Sequence, residues 1–121
     1  MAVDIANRRI AWEIPLGAMV PSQAPAGAPS PGVTSAGSPN LGGPIVTAGG
    51  LVFIAATLDQ RIRAVDVQTG EELWSAPLPA GGKATPMTYV AADGKQYVVI
   101  AAGGDGGRFG RGDAVVAFRL P

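Results

Sequence analysis

Ala64-Val65-Asp66-Val67-Gln68-Thr69-Gly70-Glu71-Glu72-Leu73-Trp74 reads A-x-D-x-x-T-G-x-x-x-W, and its skeleton occurs twice in the 121 residues. Ala2, Asp4, Asn7, Arg8 and Trp12 stand at the same offsets 62 positions earlier, and Pro15-Leu16 echoes Pro77-Leu78 in that register. A long period with turn signals inside it marks a repeat architecture, in which one unit cannot bury its own apolar face and stacks on a neighbour. Arg61 to Val67 alternates polar with apolar residues, as a half-buried strand does. Asp66 is placed to accept backbone N–H bonds of the following turn, Thr69 brings a hydroxyl, and Gly70 tolerates positive φ, so the chain reverses into Glu72 to Leu78. Trp74 then falls on the second strand of a hairpin. Burying an indole removes about 150–250 Å² from water, worth at most about 4–6 kcal/mol, enough to hold one sheet on the next.

Composition narrows the function classes. Apolar residues make up 47%, charged residues 15%, and the formal net charge is zero. No basic patch with interleaved aromatics is present, so nucleic acid is not an expected partner. The apolar runs Leu51 to Leu58 and Tyr97 to Ala102 are strand length, far short of the ~20 residues of a membrane-spanning helix, and Met-Ala-Val-Asp opens no signal peptide. Without cysteine there is no disulfide framework or thiol chemistry, and without histidine the commonest general base and metal ligand is missing. Self-contained catalysis is not expected.

The pattern along the chain predicts an all-β fold. Residues 1–16 read as the last two strands of a preceding unit, and 17–40, with Pro21, Pro25, Pro29, Pro31 and Pro39, as a Pro/Gly/Ser-rich loop. Residues 41–80 read as a complete four-stranded antiparallel sheet: Pro44 to Ala48, Leu51 to Thr57, Arg61 to Val67 and Glu72 to Leu78, divided by Gly49-Gly50, Leu58-Asp59-Gln60 and Thr69-Gly70. Residues 81–121 read as an incomplete, three-stranded last sheet: Thr85 to Ala92, a turn at Asp93-Gly94, Lys95 to Ala102, a glycine-rich loop, and Asp113 to Leu120. Together these describe a partial β-propeller of about two four-stranded blades with tryptophan-docking motifs. A closed ring takes about four to eight blades, so the expectation is the C-terminal piece of a larger protein, or else a chain that assembles with copies of itself or with a partner chain.

The A-x-D-x-x-T-G-x-x-x-W unit resembles the tryptophan-docking motif of quinoprotein propellers, the dehydrogenases that use pyrroloquinoline quinone (PQQ). Residues Asn40 to Asp59, Leu78 to Tyr89 and Gly94 to Gly104 are similar to the last blades of that family, most of all to its membrane-bound, periplasm-facing glucose dehydrogenase branch. The resemblance implies oxidation of a sugar or alcohol by hydride transfer to PQQ, with a Ca or Mg ion bound mainly by other blades and ubiquinone as acceptor. It also implies a periplasmic location with the membrane anchor elsewhere in the parent. The stacking, metal-binding and catalytic-base positions belong to earlier blades, so no catalytic or metal residue is assigned here. Two cofactor-binding turns remain: Asn40-Leu41-Gly42 before the inner strand of one blade, and Gly104-Asp105 in the next. Small residues there let a planar cofactor approach the backbone. The family's glucose dehydrogenases usually carry histidine at the position of Asp105, a departure that bears on cofactor affinity and substrate. Asp59 lies in a turn near the same end of the family's funnel, although an aspartate in a tight turn commonly bonds its own backbone.

Other motifs carry no function. The glycines of 103–112 do not have G-x-G-x-x-G spacing and open no helix, and Arg108 stands where a calcium nonapeptide needs aspartate. Arg111-Gly112-Asp113 spells an adhesion tripeptide but leads into a strand. Trp12 and Trp74 are blade-docking residues. The alternative to a dehydrogenase segment is a non-catalytic propeller segment of the same repeat family, a scaffold for protein assembly at the bacterial envelope; such a scaffold has no need of small turns at 40–43 and 103–106.

Overall fold

The computed structural model describes residues 1–18 and 37–120, and among them strands are joined by turns and irregular segments with no helix. Among the described residues there are three antiparallel sheets. The first is a hairpin of β1 (Ala2–Asp4) and β2 (Arg9–Trp12). The second runs in order through β3 (Ile45–Val46), β4 (Leu51–Ile54), β5 (Arg61–Asp66) and β6 (Glu72–Pro77). The third comprises β7 (Met87–Val90), β8 (Gln96–Gly107) and β9 (Gly110–Arg119).

The sequence repeat is a structural repeat down to the backbone. Ala2 faces Trp12 and Val3 faces Ile10, with a bulge between Ala2 and Val3; Ala64 faces Trp74 and Val65 faces Glu72, with a bulge between Ala64 and Val65. Asp4 Oδ1 accepts the Asn7 N–H at 3.1 Å, and Asp66 Oδ1 accepts the Thr69 N–H at 2.8 Å. Arg8 (φ 51°) and Gly70 (φ 78°) both take the left-handed conformation that closes the turn. The aspartate therefore organises a local turn in each copy, and the turn sets the register of the hairpin behind it.

Packing between sheets follows from that register. Side chains alternate across a strand, so Val52, Ile54 and Val65 face the first hairpin while Phe53 and Ala64 face the third sheet. Trp12 lies across the β5–β6 turn: its indole N–H donates to Val67 C=O at 2.9 Å, and a Cβ on Gly70 would sit 2.8 Å from its ring. The main core lies between the second and third sheets, where Ala55, Ile62 and Leu78 meet Val98, Ile100 and Ala102. Each Ile or Leu so buried contributes about 2 kcal/mol.

Two sequence expectations change, and a third falls mostly outside the described residues. Most of the 17–40 loop, residues 19–36, lies outside the described residues; its two ends meet, with Ser38 N–H donating to Leu16 C=O at 2.9 Å. The glycine-rich stretch 103–112 is not a loop: β8 and β9 run through it as a bulged hairpin, pairing Gly104 with Arg111 and Gly107 with Gly110. Pairing with a long partner strand overrides the weak strand preference of glycine. Trp74, expected to be packed like Trp12, is 40% exposed. It meets Phe118 of β9 edge-on at 5.2 Å between centroids, and a cleft of about 850 Å³ opens beside it, lined by Leu51, Phe53, Val98 and Leu120. The turn-borne acceptor that Trp12 finds at Val67 has no counterpart for Trp74 among the described residues.

Gly70→Ala places a methyl group against the Trp12 ring in a left-handed backbone and is expected to lower stability by about 2 kcal/mol. Urea unfolding followed by tryptophan fluorescence measures it; an unchanged midpoint would remove the Gly70 contact as a determinant of sheet stacking.

Candidate functional site

Among the described residues no hydrogen bond joins the two segments singled out by sequence; instead each is bonded or packed onto other parts of the chain. Both rest on a third, Gly81-Gly82-Lys83, which links the second sheet to the third. Strand β4 ends at Ile54, and the chain continues inward through Ala56, a buried residue held at φ 44°. From there Ala56 C=O accepts the Leu41 N–H at 2.9 Å, while the Ala56 N–H donates to Gly82 C=O at 2.9 Å. Asn40 pairs with Thr57 in an isolated bridge. Gly42 packs so closely that a Cβ would lie 2.9 Å from Lys83 C=O and 3.1 Å from Ala56 Cβ. Asn40, Leu41 and Gly42 are exposed.

The other segment leans on the same strap. Gly104 N–H donates to Gly81 C=O and Gly81 N–H to Phe109 C=O, at 2.9 and 2.7 Å. Gly104, at φ 63°, approaches Gly110 so closely that a Cβ would fall 2.2 Å from its carbonyl oxygen. Only glycine fits there. Asp105 Oδ1 accepts the N–H groups of Gly107 (2.8 Å) and Phe109 (3.1 Å), capping the hairpin turn, while Oδ2 faces Lys83 Nζ at 3.8 Å. The Gly107 N–H is the largest influence lowering the Asp105 pKa; burial opposes it, and the Phe109 N–H and the Lys83 charge add to the lowering.

Lys83, Gly81, Gly82 and Ala56 were not assigned by sequence. Gly81-Gly82 followed by a lysine was visible as a signal, but nothing local shows that two other segments converge on it. Asp59 has a role other than bonding its own turn. Its carboxylate is paired with the Arg63 guanidinium through Nη2 and Oδ2, accepts the Thr57 hydroxyl at 2.6 Å, and accepts the Ala18 N–H at 3.0 Å. Arg63, 6% exposed, also donates to Thr57 Oγ1 at 3.0 Å and Glu72 Oε2 at 2.9 Å. Burial alone would raise the Asp59 pKa, but the hydrogen bonds from Arg63 and Thr57, with the Arg63 charge, hold it below the ordinary value. The network ties Gly17-Ala18 and Ser38 to the second sheet beside Asn40, since Leu58 N–H donates to Ser38 Oγ at 3.2 Å.

Stacked antiparallel sheets joined by an indole docked on the neighbouring sheet's turn, with glycine-lined turns gathered where the sheets converge, define a β-propeller of the tryptophan-docking class. The family described as "PQQ: Glucose/ethanol/alcohol dehydrogenase, beta-propeller domain" matches residues 1–98. The chain belongs to that family. It is 51% identical over 122 residues to the quinoprotein glucose dehydrogenase of Escherichia coli (strain K12), covering 99% of this chain and 15% of the relative. It is 48% identical over 121 residues to a probable quinate dehydrogenase (quinone) of Xanthomonas campestris pv. juglandis, again covering 99% of this chain and 15% of the relative. The chain thus spans about 15% of the length of these relatives. Among solved structures, a europium-containing methanol dehydrogenase matches with a TM-score of 0.52 and 44% identity, over 55% of this chain and 11% of the other. Among the described residues no helix is long and apolar enough to cross a membrane.

Two outcomes follow from the geometry. Asp105 has a folded pKa below the ordinary 3.8, so its capping bonds are fully present above pH 3.8 and are lost as pH falls through the lower folded value. A carboxyl-carbon NMR titration should give a midpoint below 3.8, with the Gly107 and Phe109 amides moving together with it; a midpoint at or above 3.8 would contradict the cap. Arg63→Met leaves Asp59 enclosed without its cation and is expected to destabilise by about 3 kcal/mol in urea unfolding at neutral pH, whereas Lys95→Met, at an exposed position, stays within about 0.5 kcal/mol.

Proposed function

We propose that these residues are the last part of the propeller of a PQQ-dependent dehydrogenase that oxidises a sugar or alcohol. On this reading Asn40-Leu41-Gly42 and Gly104-Asp105 form part of the cofactor wall. The observation that carries the reading is the convergence of both segments on Gly81-Gly82-Lys83, with Leu41 and Gly42 exposed and glycines on either side of Asp105. Such a surface lets a flat cofactor come within van der Waals contact of the main chain, and the Lys83 ammonium suits its carboxylates. Bound PQQ supplies a quinone that accepts hydride from the substrate.

The protein's own part is placement. Gly42 and Gly104 keep the wall close to the strap, Asp105 holds the β8–β9 turn in shape, and the Asp59–Arg63 pair keeps the segment before Asn40 against the second sheet. Among the described residues no three or more His, Cys, Asp or Glu side chains gather as a metal site, and on this reading the Ca or Mg ion is held by other blades. Those blades, or further copies of the chain, are the partners that complete the ring; ubiquinone is the acceptor and the periplasm the location. The relatives named for glucose and quinate are consistent with a polyhydroxylated substrate.

Titration with PQQ, with and without calcium or magnesium, following Trp12 and Trp74 fluorescence, tests the proposal. Saturable quenching at micromolar PQQ is expected, and Gly42→Val, which displaces Lys83, should weaken it about tenfold. No saturable binding by the assembled protein would overturn the reading and favour the scaffold alternative.

A further inference from the structure

The chain has two tyrosines, and the structure brings them together. Tyr89 of β7 stands directly opposite Tyr97 of β8, and their rings stack with 11° between their planes and 5.4 Å between centroids. Val98 packs into the core against the second sheet, so by strand alternation the neighbouring Tyr97, and Tyr89 with it, face away from that core. Tyr89 is 43% exposed and Tyr97 is half-buried. Polar contacts hold the two strands in place here: the Thr88 hydroxyl donates to Tyr97 C=O and accepts the Gln96 side-chain N–H, each at 2.8 Å. The pair lies near the start of β8, roughly 25 Å along the strand from Asp105, so it is no part of the candidate cofactor wall.

Tyr97 O–H donates to Asp93 Oδ2 at 3.0 Å, while Asp93 Oδ1 accepts the Lys95 N–H at 3.0 Å. The carboxylate is thus fixed in the β7–β8 turn with one oxygen aimed at the phenol. That hydrogen bond is the largest influence raising the Tyr97 pKa; burial and the Asp93 charge add to it, the Arg119 charge opposes it, and Tyr89 adds a smaller rise. The phenol therefore keeps its proton at neutral pH and already points it at a base. A phenol so placed loses an electron and a proton together: the electron leaves for an oxidant and the proton passes to Asp93, which spares the ring a positive charge. The chain holds no cysteine and no histidine to intercept the oxidising equivalent.

We propose that Tyr89 and Tyr97 form an oxidative modification site, where a one-electron oxidant couples the two rings into an intramolecular dityrosine that staples β7 to β8. Each ring gives one electron to the oxidant. The Tyr97 proton goes to Asp93 and on to water, the Tyr89 proton directly to water. The two phenoxyl radicals join through one C–C bond between carbons ortho to their oxygens, and the hydrogens on those carbons move to the oxygens to restore the phenols. The net loss is two electrons and two protons. Illumination of the full chain at low micromolar concentration with tris(bipyridyl)ruthenium(II) and persulfate supplies the oxidant, persulfate taking up both electrons as it is cleaved to sulfate. Dityrosine fluorescence, intact mass and peptide mapping read the product. The expected product is a monomer lighter by two hydrogen atoms, with Tyr89 joined to Tyr97. Tyr89→Phe keeps the stacked rings but gives none of it, and Asp93→Asn forms it about tenfold more slowly. Concentrated urea abolishes the stack while leaving the residues as near in sequence, and should lower the yield about tenfold. A monomer without dityrosine, dityrosine found only between chains, an equal yield in urea, or a rate untouched by Asp93→Asn overturns the inference. None of these outcomes bears on PQQ binding, so the dehydrogenase reading stands or falls separately.

Discussion

The contact on which the structure depends is an indole laid across a glycine turn of the next sheet. Trp12 reaches Val67 and Gly70, and this single docking requires three things of the sequence at once. An aspartate must shape the turn, a residue tolerant of positive φ must close it, and that residue must lack a side chain where the ring arrives. Asp66 and Gly70 meet all three; in the first copy Arg8 takes the same left-handed backbone without receiving an indole among the described residues. The motif is thus a connector, half of it on the sheet that docks and half on the sheet that receives. Trp74 shows the connector with its receiving half missing: it touches Phe118 by an edge and keeps 40% of its surface in solvent.

The inner end of the sheets works by different physics. There the apolar core gives way to main-chain hydrogen bonds running from Leu41 to Ala56, Gly82, Gly81 and Phe109, with buried or closely packed glycines letting backbones approach. Polar backbone enclosed in this way has to be paired, and pairing between segments rather than within one strand makes the site rigid without regular structure. The Asp59–Arg63–Thr57 cluster extends that rigidity to the segment before Asn40. A buried guanidinium held by Asp59, Glu72 and a hydroxyl is costly to break, which fixes the position of the neighbouring turn more than it adds to stability.

Elements defined by local chemistry were legible in advance. Asp66 to Gly70, Gly49-Gly50 and Asp93-Gly94 each specify a reversal within four or five residues, and alternation in Arg61 to Val67 marks the strand between them. The hairpin through Gly103 to Gly112 was not legible, because glycine offers no strand preference of its own and the pairing is imposed by the length of β9. Nor was Ala56: an alanine in the left-handed region has no sequence mark, and it adopts that backbone only because Leu41 and Gly82 bond to it from either side. Within the candidate site Gly42, Gly104 and Asp105 stood out as small or charged residues in turns, whereas nothing in the neighbouring sequence assigned Lys83 to the site.

By itself the sequence determined that the chain is a stack of short antiparallel sheets, because strand alternation, turn residues and the repeated motif are properties of neighbours in the chain. Only the tertiary structure decided that Gly81-Gly82-Lys83 joins the two segments of the candidate site, that Asp59 receives the Ala18 N–H, and that Trp12 is docked while Trp74 is half open. Those facts depend on contacts between residues some 20 to 60 positions apart. No local pattern encodes such contacts; they arise when close packing and the need to pair buried polar groups select one arrangement of sheets.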